Sequence, residues 1–145
     1  PIDVKTIPLV SRGEARRLLI VEFENMVVGC THLALNQEDR TASMEIICNT
    51  MQGYKKPILL AGDMNSHATD MEQVILNKKF TTLNNTQDAT YPSIGANECI
   101  DYIYAAKDDN YIYKVKESRV FSEDSIVSDH LPLLVRVEIQ SGCTK

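Results

Sequence analysis

His32, Asp63, Asn65, Asp101, Asp129 and His130 carry the side chains of this sequence best suited to chemistry, and they fall in four short stretches: "CTHL", "LLAGDMNS", "ECIDYIYA" and "SIVSDHLPLLVRVEI". The last stretch sets a carboxylate and an imidazole side by side, ahead of a proline and an apolar run. A turn accounts for Asp129, because Ser and Asp side chains bond nearby backbone amides. It does not account for His130. In "CIDYIYA", alternation at period two puts Asp101 on one sheet face with Cys99, Ile103 and Ala105. A carboxylate on an apolar face is costly unless it is paired or hydrogen-bonded, so Asp101 requires a partner. Taken singly, each residue has a plainer reading: "GDMNS" as a strand and a turn, Asp129 as a cap, His32 as a hydrogen-bonded strand end, His67 as a loop residue. Taken together they sit at strand ends, where side chains from distant segments converge in α/β architectures.

The elements that must position them are legible from periodicity. Residues 17–23, "RLLIVEF", and 26–32, "MVVGCTH", read as an antiparallel hairpin turning through Glu24 and Asn25. Asn36 followed by Asp39 reads as a helix N-cap. Met44, Ile47, Cys48 and Met51 supply the buried stripe, and Gly53 the stop. "PILLAGD", 57–63, has the continuous apolar pattern of a strand buried on both faces. Thr69 and Glu72 suggest a capping box, with Met71, Val74 and Ile75 facing inward on a short helix. A polar loop is expected over 84–98, one or two strands over 111–121, and a final strand from Leu133 to Ile139.

The chain has 145 residues, 43% hydrophobic and 24% charged, the composition of one globular domain. A net charge of −5 argues against coating nucleic acid by phosphate neutralisation alone. No apolar run approaches the roughly 20 residues of a membrane span, and a soluble protein is expected. The compartment stays open: cytoplasmic, or exported after removal of a signal that these residues do not contain. Four cysteines, Cys30, Cys48, Cys99 and Cys143, lack C-x-x-C spacing and read as reduced thiols, three of them within apolar runs and therefore buried.

In their order and separations, "THL" (31–33), "GDMN" (62–65), "IDYIY" (100–104) and "SDHLP" (128–132) resemble the endonuclease/exonuclease/phosphatase superfamily of DNase I-like enzymes. The form "THL" looks more like its DNase I, sphingomyelinase and phosphoinositide branches than its abasic-site endonuclease branch. The resemblance implies a Mg²⁺-dependent phosphoester hydrolase, with Mn²⁺ as an alternative metal. Asp63 would activate the attacking water, and Asn65 and His130 would donate hydrogen bonds to the scissile phosphate. Asp101 would pair with His130, fixing its tautomer and favouring the imidazolium. Asp129 would lie at the metal, and His32 would assist at the leaving group or the phosphate. The substrate would be a phosphoester: nucleic acid, lipid headgroup or small molecule.

The resemblance also implies an α/β (α+β) fold, the C-terminal half of a four-layer α/β/β/α sandwich with mostly antiparallel sheet and flanking helices. Residues 1–145 would form one partial domain, lacking the N-terminal half and the family's main metal-binding carboxylate, so that hydrolysis is expected of the whole domain and the activity of these residues alone stays open. Glu22 and Glu24 do not fit that ligand's context. An uncovered sheet face would favour a homodimer or other association. Two further readings stand beside this one. A calcineurin-like metallophosphatase needs a dinuclear, histidine-rich centre, against three histidines here. A scaffold module would retain Asp101 and His130 as a structural pair.

Overall fold

The computed structural model describes residues 1–124 and 126–142. Its main sheet has six strands, and their order places the chemistry at one end. These are β1 (Asp3–Leu9), β2 (Arg16–Glu22), β3 (Val27–His32), β4 (Ile58–Asp63), β5 (Phe80–Thr82) and β6 (Asp101–Ala106), arranged β1-β2-β3-β4-β6-β5. β3 and β4 run parallel; the other pairs are antiparallel. The register sets His32 beside Asp63 and Asp63 beside Asp101, so three strands deliver ionisable side chains to one row. A two-stranded sheet, β7 (Tyr111–Val120) with β8 (Leu133–Ser141), completes a mixed α/β fold dominated by sheet. The segment 111–121 is thus essentially one strand, irregular in register between Val115 and Glu117.

One face of the main sheet is covered by two helices, α1 (Gln37–Met51) and α2 (Met71–Leu76). Asn36 caps α1 as its spacing implies, its side chain accepting from the Asp39 amide. The Met44, Ile47, Cys48 and Met51 stripe is buried against Leu18, Ile20, Val27 and Leu60. A Cβ on Gly29 would meet the Met51 side chain, so that glycine lets α1 close on the sheet. Gly62 is constrained more severely. Its φ of 153° lies in a region that side chains avoid, and a Cβ there would run into the Thr31 carbonyl oxygen. β3 and β4 can approach at their chemical ends only because this residue has no side chain.

One element was not expected, and three expectations need correction. β1 carries too little apolar alternation to be recognised from sequence, and as an edge strand it takes its order from pairing with β2. β4 is buried on its helix side only; Leu59, Ala61 and Asp63 are half-buried on the other. Helix α2 has Asp70 as N-cap, with no side-chain cap bond, in place of a Thr69–Glu72 box. Its inward residues are Glu72, Gln73 and Leu76, while Met71 and Val74 are 56% and 48% exposed. Polar partners set this orientation. Arg40 of α1 donates to Glu72, and Gln73 bonds Ser66 and the Tyr104 hydroxyl. Finally, Cys30 is exposed, whereas Cys48 is buried and Cys99 half-buried. Cys143 lies outside the described residues. Cys30 sits on the sheet face opposite the helices, where Val4 and Leu19 are also open at 56% and 38%. That is the face on which association was expected.

The Arg40–Glu72 pair is nearly dry, and among the described residues the second Glu72 oxygen has no partner. Removing one member of such a pair leaves a buried charge uncompensated. Arg40→Ala is expected to destabilise the fold by about 3–5 kcal/mol in urea unfolding. Replacing both residues with apolar side chains of similar volume should restore much of the loss. A midpoint unchanged in Arg40→Ala would contradict this account of α1–α2 packing.

Candidate active site

Asp63 is the hub of the constellation. It ends β4, and its Oδ1 accepts the amide of Asn65 at 2.8 Å, bending the chain sharply off the strand. Asn65 takes a left-handed φ of 47°, a conformation asparagine tolerates better than other side chains. Its amide nitrogen donates to the Leu33 carbonyl at 2.9 Å, tying the β4 end to the β3 end. One of its two N–H hydrogens remains to serve another acceptor.

Two imidazoles face the other Asp63 oxygen. His32 Nε2 stands 3.2 Å from Oδ2, and His130 Nε2 stands 3.6 Å from the same atom. On its far side the His130 ring donates from Nδ1 to Asp101 Oδ2 at 2.7 Å. The carboxylate that required a partner from sequence has therefore met the histidine that a turn could not explain. Asp63, Asp101 and His130 are each partly buried, whereas the His32 side chain is 53% exposed. Asp129 is exposed next to this group, its carboxylate accepting from the Ser128 hydroxyl. His67 stands apart, bonded to Glu98 at 3.0 Å.

Electrostatics follow from this arrangement. Burial pushes the Asp63 carboxyl above its ordinary value, and the nearby Asp101 charge adds to the rise; the Asn65 amide, His32 and His130 work against it. For His130, burial opposes the imidazolium. The hydrogen bond and charge of Asp101, with Asp63 and Asp129 behind, outweigh that cost and raise the value above the ordinary one. The result is a carboxylate with enhanced basicity beside an imidazole biased toward the charged form, a combination suited to taking a proton and stabilising an anion.

Asp63, Asp101 and His130 can reach one cation, since their ligand atoms lie within 4.8 Å of one another. Mg²⁺, however, takes near-ideal octahedral oxygen coordination. Here Nδ1 of His130 is engaged by Asp101, and the inner oxygen of Asp63 is faced by two rings. These three residues alone do not make a Mg²⁺ site. The group also holds a single histidine, unlike the histidine-rich dinuclear centre of the calcineurin-like reading.

Sequence reasoning did not find Thr90. Its buried hydroxyl accepts from the amides of Ile100 and Asp101, both at 3.3 Å, at the point where β6 begins. A lone threonine inside a polar loop gives no signal of such a contact. Tyr91, in the same loop, lies against the His130 ring.

Because the folded value of His130 is raised, its stabilising contribution is fully present below the ordinary imidazole value of about 6.5. It is lost as pH rises through the folded value. Asp101→Asn is expected to move the NMR titration of His130 downward, since burial then acts with less opposition. An unchanged titration midpoint would contradict the assigned pair.

No family model matches the sequence, and no curated protein is significantly similar to it. Solved structures are similar in fold. A functionally unknown conserved protein from Enterococcus faecalis V583 superposes with a TM-score of 0.79 at 23% identity, over 96% of this chain and 66% of its own. An endonuclease/exonuclease/phosphatase from Bacteroides vulgatus gives a TM-score of 0.77 at 19% identity, over 96% and 66%. The mannosyl-6-phosphatase Bt3783 of Bacteroides thetaiotaomicron VPI-5482 gives 0.71 at 16%, over 94% and 66%. This chain thus spans just under two thirds of the length of these structures. It has the fold of the endonuclease/exonuclease/phosphatase family, in agreement with the resemblance carried by its four motifs.

Proposed function

We propose that this chain carries the catalytic constellation of a phosphoester hydrolase. The observation behind the reading is the single carboxylate, Asp63, faced by His32 and His130 and bonded by Asn65, with Asp101 behind His130. Asp63 accepts the proton of the attacking water, for which its raised basicity suits it. His130, biased toward the imidazolium by Asp101, donates from Nε2 to a non-bridging phosphate oxygen. The Asn65 side-chain amide, oriented by the Leu33 carbonyl, supplies a second donor through its remaining N–H. His32, the most exposed of the group, assists at the leaving-group side.

The proposal includes a divalent cation, Mg²⁺ or Mn²⁺, whose contribution would be to offset phosphate charge. Asp129 is offered as a carboxylate at its edge, and further oxygen donors are required beyond Asp63 and Asp101. It also treats residues 1–145 as the C-terminal part of a DNase I-like domain. The substrate class is a phosphate ester. A small phosphoester or a headgroup is favoured over long nucleic acid by the net charge of −5.

The direct test is hydrolysis of p-nitrophenyl phosphate and bis-p-nitrophenyl phosphate, with Mg²⁺ or Mn²⁺ supplied, by this chain joined to the N-terminal half of the domain. Asn65→Ala and His130→Ala should each lower turnover by about 10²–10³, the usual effect of removing one preorganised donor. Far-ultraviolet circular dichroism should remain that of the parent. Variants that turn over at the parental rate would overturn the assignment, and inactivity on both esters of the domain with its N-terminal half restored would favour the scaffold reading.

A further inference from the structure

His130 lies in an irregular segment between the short 3₁₀ turn at Ser122–Asp124 and β8, so no strand or helix fixes its backbone. What fixes it is the long loop before β6. The Leu131 amide donates to the Thr90 carbonyl at 2.7 Å, and the Ser93 amide donates to the Asp129 carbonyl at 2.7 Å, bracketing His130 on both sides. The same Thr90 holds the start of β6 through the amides of Ile100 and Asp101. The loop is closed on itself by paired backbone bonds between Tyr91 and Glu98, at 3.0 and 2.9 Å. Between the two brackets, the Tyr91 ring lies on the His130 imidazole with centroids 4.8 Å apart and planes tilted by 46°.

We infer that Tyr91 is a positioning residue for the His130–Asp101 pair, its ring holding the imidazole in the plane from which Nδ1 meets Asp101 and Nε2 points toward Asp63. The side chain hydrogen-bonds to neither Asp63 nor Asp101, so it acts through His130. An aromatic face limits rotation of the imidazole about its side-chain bonds and excludes water from one side of it. A tilted aromatic pair at this separation is net attractive. The Thr90–Ser93 segment thereby ties both members of the dyad to one piece of chain, although they are 29 residues apart in sequence. The rate consequence rests on the phosphoester-hydrolase reading. The geometric consequence does not.

The test compares the parent with Tyr91→Phe, which keeps the ring, and Tyr91→Leu, which keeps much of the volume without it. In the parent, NMR should show proton contacts between the Tyr91 and His130 rings and a rigid His130 Cε1–H bond. Phe should retain that rigidity and Leu should lose it. On bis-p-nitrophenyl phosphate, kcat should fall about two- to tenfold in Tyr91→Leu with KM little changed, and Phe should restore it. The inference is overturned if the parent lacks the ring contacts, or if His130 is as rigid with Leu as with Tyr. A rate drop that Phe does not rescue also overturns it. Failure of every protein to hydrolyse the ester with the N-terminal half of the domain restored would count against the proposed function, while the ring measurements would still decide the role of Tyr91.

Discussion

The hydrogen bond between Asp101 and His130 is the contact on which the site depends. A carboxylate placed on the sheet face with Ile103 and Ala105 must find a donor, and the 2.7 Å contact to Nδ1 supplies one that also carries charge. Both side chains keep about a quarter of their exposure, so solvent screens the pair and its contribution to stability is modest. Its effect is on geometry and charge. It fixes which ring nitrogen points outward, and it biases the ring toward the imidazolium beside Asp63.

Around that contact, the sheet supplies precision and the loops supply closure. β3, β4 and β6 bring His32, Asp63 and Asp101 into one row by register alone. Close approach at that row needs Gly62, and the turn off β4 needs an asparagine at a left-handed position. Neither is required by the hydrophobic core, which lies under the helices. Leu33 and Met64, beside His32 and between Asp63 and Asn65, are fully buried members of that core and anchor the site end in it.

Much of this was legible in the sequence, for identifiable reasons. The α1 stripe shows in the i, i+3, i+4, i+7 spacing of its apolar residues, the 17–32 hairpin and β4 show as apolar runs, and Asn36 announces a cap. Asp101 was legible as an anomaly, because alternation placed it on a face where it could not remain unpaired. What could not be read depended on partners remote in sequence. The rotation of α2 follows from Arg40 meeting Glu72, a contact 32 residues long, which overrides the apolar pull of Met71 and Val74. β1 is specified by pairing across an edge rather than by its own pattern. Thr90 acts through backbone amides, which leave no mark on composition.

The most direct measurement is the tautomer of neutral His130, read from long-range ¹H–¹⁵N correlations above its titration range. The account requires the proton on Nδ1, donated to Asp101, with Nε2 unprotonated and turned toward Asp63. Finding the proton on Nε2, with Nδ1 free, would show that the pair does not orient the ring and would remove the basis of the proposed site.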